Sequence, residues 1–109
     1  MYLVTLDQAA GLLGVSRRSV HRFERRGFLD FQRVGGRVYV DVDELMSAPL
    51  LTRGRAARLV GRSWWTARRW THEGGLTVHY PAYANSRGRC SLDEIYFAKS
   101  QKRRWRSAE

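Results

Sequence analysis

Apolar and polar positions alternate with a helical period near the start of the chain. Leu6, Ala9, Ala10 and Leu13 recur at three- and four-residue spacing and predict one buried helix stripe. Thr5 opens that helix, and Thr-x-x-Gln over Thr5 to Gln8 is a capping-box pattern. Gly14 ends it, Ser16 caps a second helix, and only a tight turn separates the two. The second helix runs from Arg17 to about Arg26 and stops at Gly27. Ser16, Val20, Phe23 and Gly27 fall on one side of it; Arg18, His21, Arg22 and Arg25 fall on the other. After Leu29 the period changes from helical to alternating. Phe31 to Val34, Gly35-Gly36 and Arg37 to Val40 predict a β-hairpin with a Gly-Gly turn. Asp41 to Glu44 caps a further short helix carrying Leu45 and Met46. Pro49 marks a boundary, with Ser47 to Leu51 read as a short linker.

The same pattern then returns. Residues Thr5 to Leu29 (TLDQAAGLLGVSRRSVHRFERRGFL) align with Thr52 to Leu76 (TRGRAARLVGRSWWTARRWTHEGGL) at an offset of 47. Ala9-Ala10 fall on Ala56-Ala57, Gly14 on Gly61, Ser16 on Ser63, Arg22 on Arg69, Phe23 on Trp70 and Gly27 on Gly74. The second hairpin is less regular: Thr77 to Tyr80, a loop through Pro81, Asn85, Arg87 and Gly88, then Arg89 and Cys90. Ser91 to Glu94 is again a capping box and matches Asp41 to Glu44 at an offset of 50, so the second hairpin is longer by three residues. A last helix carries Leu92, Ile95, Tyr96 and Phe97 and runs into a basic tail. A duplicated unit must be recognised before the fold is assigned. The expected organisation is a first unit over 1–47, a second over 48–100 and a basic tail, expected to fray, over 101–109. Units of about 50 residues are marginal alone, so the two should dock through apolar or aromatic residues.

Helix, Gly-containing turn, helix is the helix-turn-helix signature. The expected fold class is mainly α with small β-hairpins, as two tandem winged helix-turn-helix units. Charge sharpens this reading. The 109 residues carry a net charge of +10, which suits a partner with many negative charges, most simply nucleic acid. The balance is uneven: seven Arg against six acids through Ser47, but thirteen Lys and Arg against four acids from Ala48 on. Nearly all are Arg, whose planar fork suits phosphates and guanine edges.

The second helix of a helix-turn-helix meets base edges in the major groove. In the first unit that assigns Ser16, Arg17, Arg18, His21 and Arg22, with Arg18 and Arg22 as guanine readers and Arg25 and Arg26 on phosphates. The matching positions in the second are Ser63, Trp64, Trp65, Arg68 and Arg69, with His72 behind. Neighbouring residues point about 100° apart on a helix, so Trp64 and Trp65 cannot both be core. At least one is expected to pack on the first unit. Arg33 and Arg37, and Arg87 and Arg89, sit close to the hairpin turns as wing residues. Lys102, Arg103 and Arg104 are phosphate candidates in the tail; a protein-docking tail anchored by Trp105 is the alternative.

Catalysis and metal binding are not expected, and no cofactor is. Cys90, His21, His72 and His79 show no metal-ligand spacing, and no phosphate loop or nucleophile elbow is present. The lone cysteine excludes an intrachain disulfide and fits a reducing cytosol. No signal-peptide or membrane-span pattern occurs.

The chain resembles the small winged helix-turn-helix proteins of the phage excisionase and MerR-like superfamily. The resemblance rests on Ala9-Ala10, the Leu-Gly-Val-Ser turn over Leu13 to Ser16, the basic helix after it, Gly27-x-Leu29 and the Gly36-Arg37 wing. The second copy keeps Ala56-Ala57, Gly61, Ser63, Arg68-Arg69, Gly74, Leu76 and Gly88-Arg89. It departs at Arg62, where the family has an apolar residue, and at Trp64-Trp65, where it has polar ones. The resemblance implies sequence-specific double-stranded DNA binding and a recombination directionality factor acting with an integrase. It also implies wing tips in the minor groove, further copies along DNA, and a place at the nucleoid of a bacterial cytoplasm. A small transcription regulator of MerR-like type and a protein-interaction adaptor using the tryptophans are the other readings. No membrane partner or small-molecule ligand is expected.

Overall fold

The computed structural model describes residues 2–80 and 88–108, with side chains described through Gln101. Among these residues are six helices and a small three-stranded antiparallel sheet, a mixed α/β arrangement. The order is β1 (Leu3–Thr5), α1 (Leu6–Leu13), α2 (Arg17–Arg25), β2 (Phe31–Val34), β3 (Arg37–Asp41), α3 (Val42–Ser47), α4 (Arg53–Leu59), α5 (Trp64–His72) and α6 (Leu92–Ala108).

Local chemistry explains the helix boundaries. At α1 the Thr5 N–H donates to Gln8 Oε1 at 2.9 Å and the Gln8 N–H donates to Thr5 Oγ1 at 3.1 Å, closing the expected capping box. Ser16 Oγ accepts from the Ser19 N–H and Ser63 Oγ from the Thr66 N–H, so α2 and α5 start in the same way. Ser91 and Glu94 form the second reciprocal box, ahead of α6. Asp41 caps α3 alone, by accepting from the Asp43 N–H, because the Glu44 carboxylate is used elsewhere: it accepts from the Asp30 N–H at 2.8 Å.

The duplication persists in the backbone pairing. In the sheet, ordered β1-β3-β2, Val4 pairs with Val40 and Gln32 with Tyr39. In the second half Leu51 bridges Cys90 and His79 bridges Arg89, the same positions shifted by the two sequence offsets. One expectation changes here, and one strand is added to the pattern. The segment Ser47 to Leu51 is no linker: Leu50 and Leu51 are fully buried, and Leu51 occupies the place that Val4 holds in β1. The start of the chain belongs to the repeat, because Leu3–Thr5 completes the sheet. The second hairpin reduces to the single His79–Arg89 bridge among the described residues; Pro81, Asn85 and Arg87 lie outside them.

One hydrophobic cluster spans both halves. Leu13, Val20, Leu29, Val40 and Leu45 join Leu50, Leu51, Ala56, Ala67, Leu92 and Ile95 in it. The halves meet where α3 packs on α6. They also meet at Gly14, whose φ of 65° suits glycine and where an added Cβ would lie 2.6 Å from Leu59 Cδ2 on α4. The expected packing of Trp64 or Trp65 into this junction is not seen. Trp64 and Trp65 are both exposed, at 40% and 68%. Trp70, which takes the place of Phe23, is the buried tryptophan among the described side chains. The region beyond Ser100 is helical to Ala108 where a frayed tail is expected. The run from Lys99 to Ala108 contains no Gly, Pro or β-branched residue to stop it. No helix among the described residues is long and apolar enough to cross a membrane.

Candidate nucleic-acid interface

The outer face of α2 is a strip of cations. Arg18, Arg22 and Arg25 recur at four and three residues, and all are exposed. None of the three makes an ion pair among the described residues. Burial of Val20 against α1 fixes this orientation, since the opposite face of α2 must then meet solvent. Arg26 is also exposed, just past the end of the helix. Arg17 differs from its neighbours: its guanidinium lies 3.7 Å from the Asp7 carboxylate. Both side chains are exposed, so the pair adds little stability, but it offsets one positive charge at the start of α2.

The β2–β3 hairpin stands beside the same helix. His21 packs edge-on against Phe31, with ring centroids 5.6 Å apart, which links α2 to the hairpin's first strand. A groove runs between them, lined by Thr5, Asp7, Arg17, His21, Arg37 and Tyr39. Arg33 and Arg37 flank the Gly35-Gly36 turn and are exposed, with Val34 exposed at the tip between them. Arg17 from α2 and Arg37 from the hairpin face this groove, while Arg18, Arg22, Arg25 and Arg33 are not part of its lining. Sequence reasoning did not single out Asp7 or Tyr39. Their place in the groove depends on how the hairpin lies against α1, which no local pattern shows.

The second half repeats the frame with different chemistry. Trp65, Arg69 and His72 on α5 occupy the positions of Arg18, Arg22 and Arg25 on α2. Trp64 and Trp65 meet edge to face at 4.8 Å, and the Arg68 guanidinium lies 5.5 and 5.8 Å from their ring centroids. A shallow hollow beside them is lined by Trp65, Arg68, Arg69, His72 and Glu73. Arg89 is not at a hairpin tip. It is half-buried, with its guanidinium 5.9 Å from the centroid of Phe28, and so lies at the junction of the halves. Arg87 and the side chains of Lys102, Arg103 and Arg104 lie outside the described residues.

Two other titratable groups have structural places. His79 Nε2 lies 2.6 Å from Glu94 Oε2, so one carboxylate ties the second hairpin to the cap of α6. Burial and the nearby Glu94 push the Cys90 thiol up to about 12, the Arg53 charge opposing them. The thiolate that nucleophilic or ligand chemistry needs is therefore suppressed at neutral pH. No three His, Cys, Asp or Glu side chains converge among the described residues. Comparison with known proteins finds no matching family model, no matching curated protein and no matching solved structure.

Proposed function

We propose that this chain is a sequence-specific double-stranded DNA-binding protein built from two tandem winged helix-turn-helix units, without enzymatic activity of its own. The observation that carries the reading is the exposed strip Arg18, Arg22 and Arg25 on α2, without ion pairs among the described residues and set beside a hairpin with Arg33 and Arg37 at its turn. A helix of this kind suits the major groove, and Arg pairs bidentately with guanine O6 and N7. Arg on a narrow hairpin tip suits the minor groove. In this account α1–α2 and α4–α5 are the two helix-turn-helix pairs, and α2 and α5 their recognition helices. The second half, with thirteen of the twenty Lys and Arg, supplies most of the affinity. Two units in one chain raise the effective concentration for the second contact.

The biological role proposed is that of an excisionase, a recombination directionality factor that binds beside an attachment site and steers an integrase. The resemblance of the Leu13-to-Ser16 turn, the basic helix and the Gly-Arg wing supports it. Fold alone does not specify function, so this role stands on that resemblance and on the DNA-binding face.

Salt dependence tests the electrostatic part. Binding of a duplex by the full chain should weaken steeply between 50 and 200 mM salt, with a slope of roughly 0.9 per phosphate neutralised. A chain ending at Ser100 should show a smaller slope and the same preferred sequence. A slope near zero for the full chain would contradict a phosphate-binding surface. An unchanged slope after truncation would move the tail to a protein-docking role.

A further inference from the structure

The recognition position of the second half has the wrong chemistry for simple repetition of the first. Arg18 of α2 becomes Trp65 of α5 and Arg17 becomes Trp64, while Arg22 is kept as Arg69. Exposing two adjacent indoles is costly, since an aromatic side chain gains more than most from burial. The folding role of Trp65 is small: it is 68% exposed, and the buried residues of α5 are Ala67 and Trp70. The pair is also held in one arrangement, edge to face, with Arg68 against both rings.

We infer that the hollow on α5 is a stacking site for an unpaired nucleobase, with Trp65 as the platform and Arg68 and Arg69 for the adjoining phosphates. This rests on the DNA-binding reading and names what the second half takes from the DNA. Three observations favour a nucleotide over an apolar protein segment. Around the indole stand two guanidiniums and an imidazole, which complement phosphate and outnumber the one carboxylate of the lining, Glu73. The half that carries the site has nine more basic than acidic residues, thirteen against four. The hollow is open on the indole side, which leaves room for a flat base to lie against Trp65. Aromatic stacking is tolerant of base identity, because every base has a π-face. Beyond the contacts of α5 with paired DNA, the second half would accordingly gain affinity where its site is bulged, kinked or locally melted.

The test compares three labelled probes by fluorescence anisotropy at physiological salt: a paired duplex, the same duplex with one bulged nucleotide, and a single strand. The full chain should bind the bulged duplex about tenfold more tightly than the paired one, a typical effect of stacking one base. Trp65→Ala should weaken binding of the bulged duplex about tenfold more than that of the paired one and so remove the preference; Trp65→Phe should retain part of it. Trp65 is exposed, so the variant's melting temperature should match the parent's, separating a binding effect from misfolding. Equal affinity for bulged and paired duplexes would overturn the inference. So would a preference that survives Trp65→Ala, or a loss that falls equally on both duplexes, which would place the indole in an ordinary groove contact. Absence of binding to all three probes would defeat the DNA-binding reading itself, a result distinguishable from these.

Discussion

Replacing Arg18 and Arg22 by alanine is expected to abolish sequence discrimination while leaving the fold intact. Both side chains are exposed on α2 and form no ion pair among the described residues, so their loss should not disturb the core. Each bidentate contact to guanine is worth about 1–3 kcal/mol of discrimination. The two residues lie one turn apart, so their effects need not add. Loss of either should still weaken the preferred duplex by about tenfold or more, and unrelated duplexes by much less. Arg25→Ala and Arg26→Ala, by contrast, should weaken all duplexes alike, because phosphate contacts carry no base identity. Binding measured on the preferred and a scrambled duplex, in parallel, separates these outcomes. A uniform loss for Arg18 and Arg22 would assign them to phosphates and remove base reading from α2.

The second large effect concerns the shared core. Leu13 is fully buried in α1, and the cluster it belongs to extends through Leu51 and Ala56 to Ile95. Leu13→Ala should cost about 2–5 kcal/mol, combining lost transfer energy with the cavity left behind. The informative readout is where that cost is seen. All four tryptophans lie at position 64 or beyond, so indole fluorescence reports on the second half alone. If the two halves unfold as one unit, a change in α1 must move the tryptophan transition. With a urea dependence of about 1–3 kcal/mol per molar, the midpoint should fall by on the order of 1 M. Circular dichroism, which sees helices in both halves, should give the same midpoint. A tryptophan transition unmoved by Leu13→Ala would mean that the halves are independent domains, despite their common cluster.

The elements with strong local signals were legible in the residues. Thr5, Ser16, Ser63 and Ser91 announce helix starts, Gly14 and Gly27 announce stops, and Gly35-Gly36 sets the hairpin. The strip Arg18, Arg22 and Arg25 followed from helical spacing once Val20 was assigned to the core. What was not legible has physical causes. Leu3–Thr5 and Leu51 pair through so few residues that no period distinguishes strand from linker. Glu44 satisfies a capping pattern but is drawn away by the Asp30 N–H, a contact between residues fourteen apart. The positions of Arg89 against Phe28 and of Leu59 against Gly14 arise from docking of the halves, which the repeat itself does not encode. The tryptophan pair was expected to fill that junction because two small cores need shared area. The packing of α3 on α6 joins the halves, and both indoles stay exposed.

The measurement that tests the central claim most directly is selection of bound duplexes from a random DNA library at physiological salt, using the full chain. The account predicts two recurring half-sites at a fixed separation, about one helical turn or a multiple of it. One of them should contain guanines whose recovery is lost with Arg18→Ala or Arg22→Ala. Recovery of A·T-rich DNA alone, without a recurring pattern, would contradict it. Such a result would describe a binder working by charge and groove shape, with no base reading by α2.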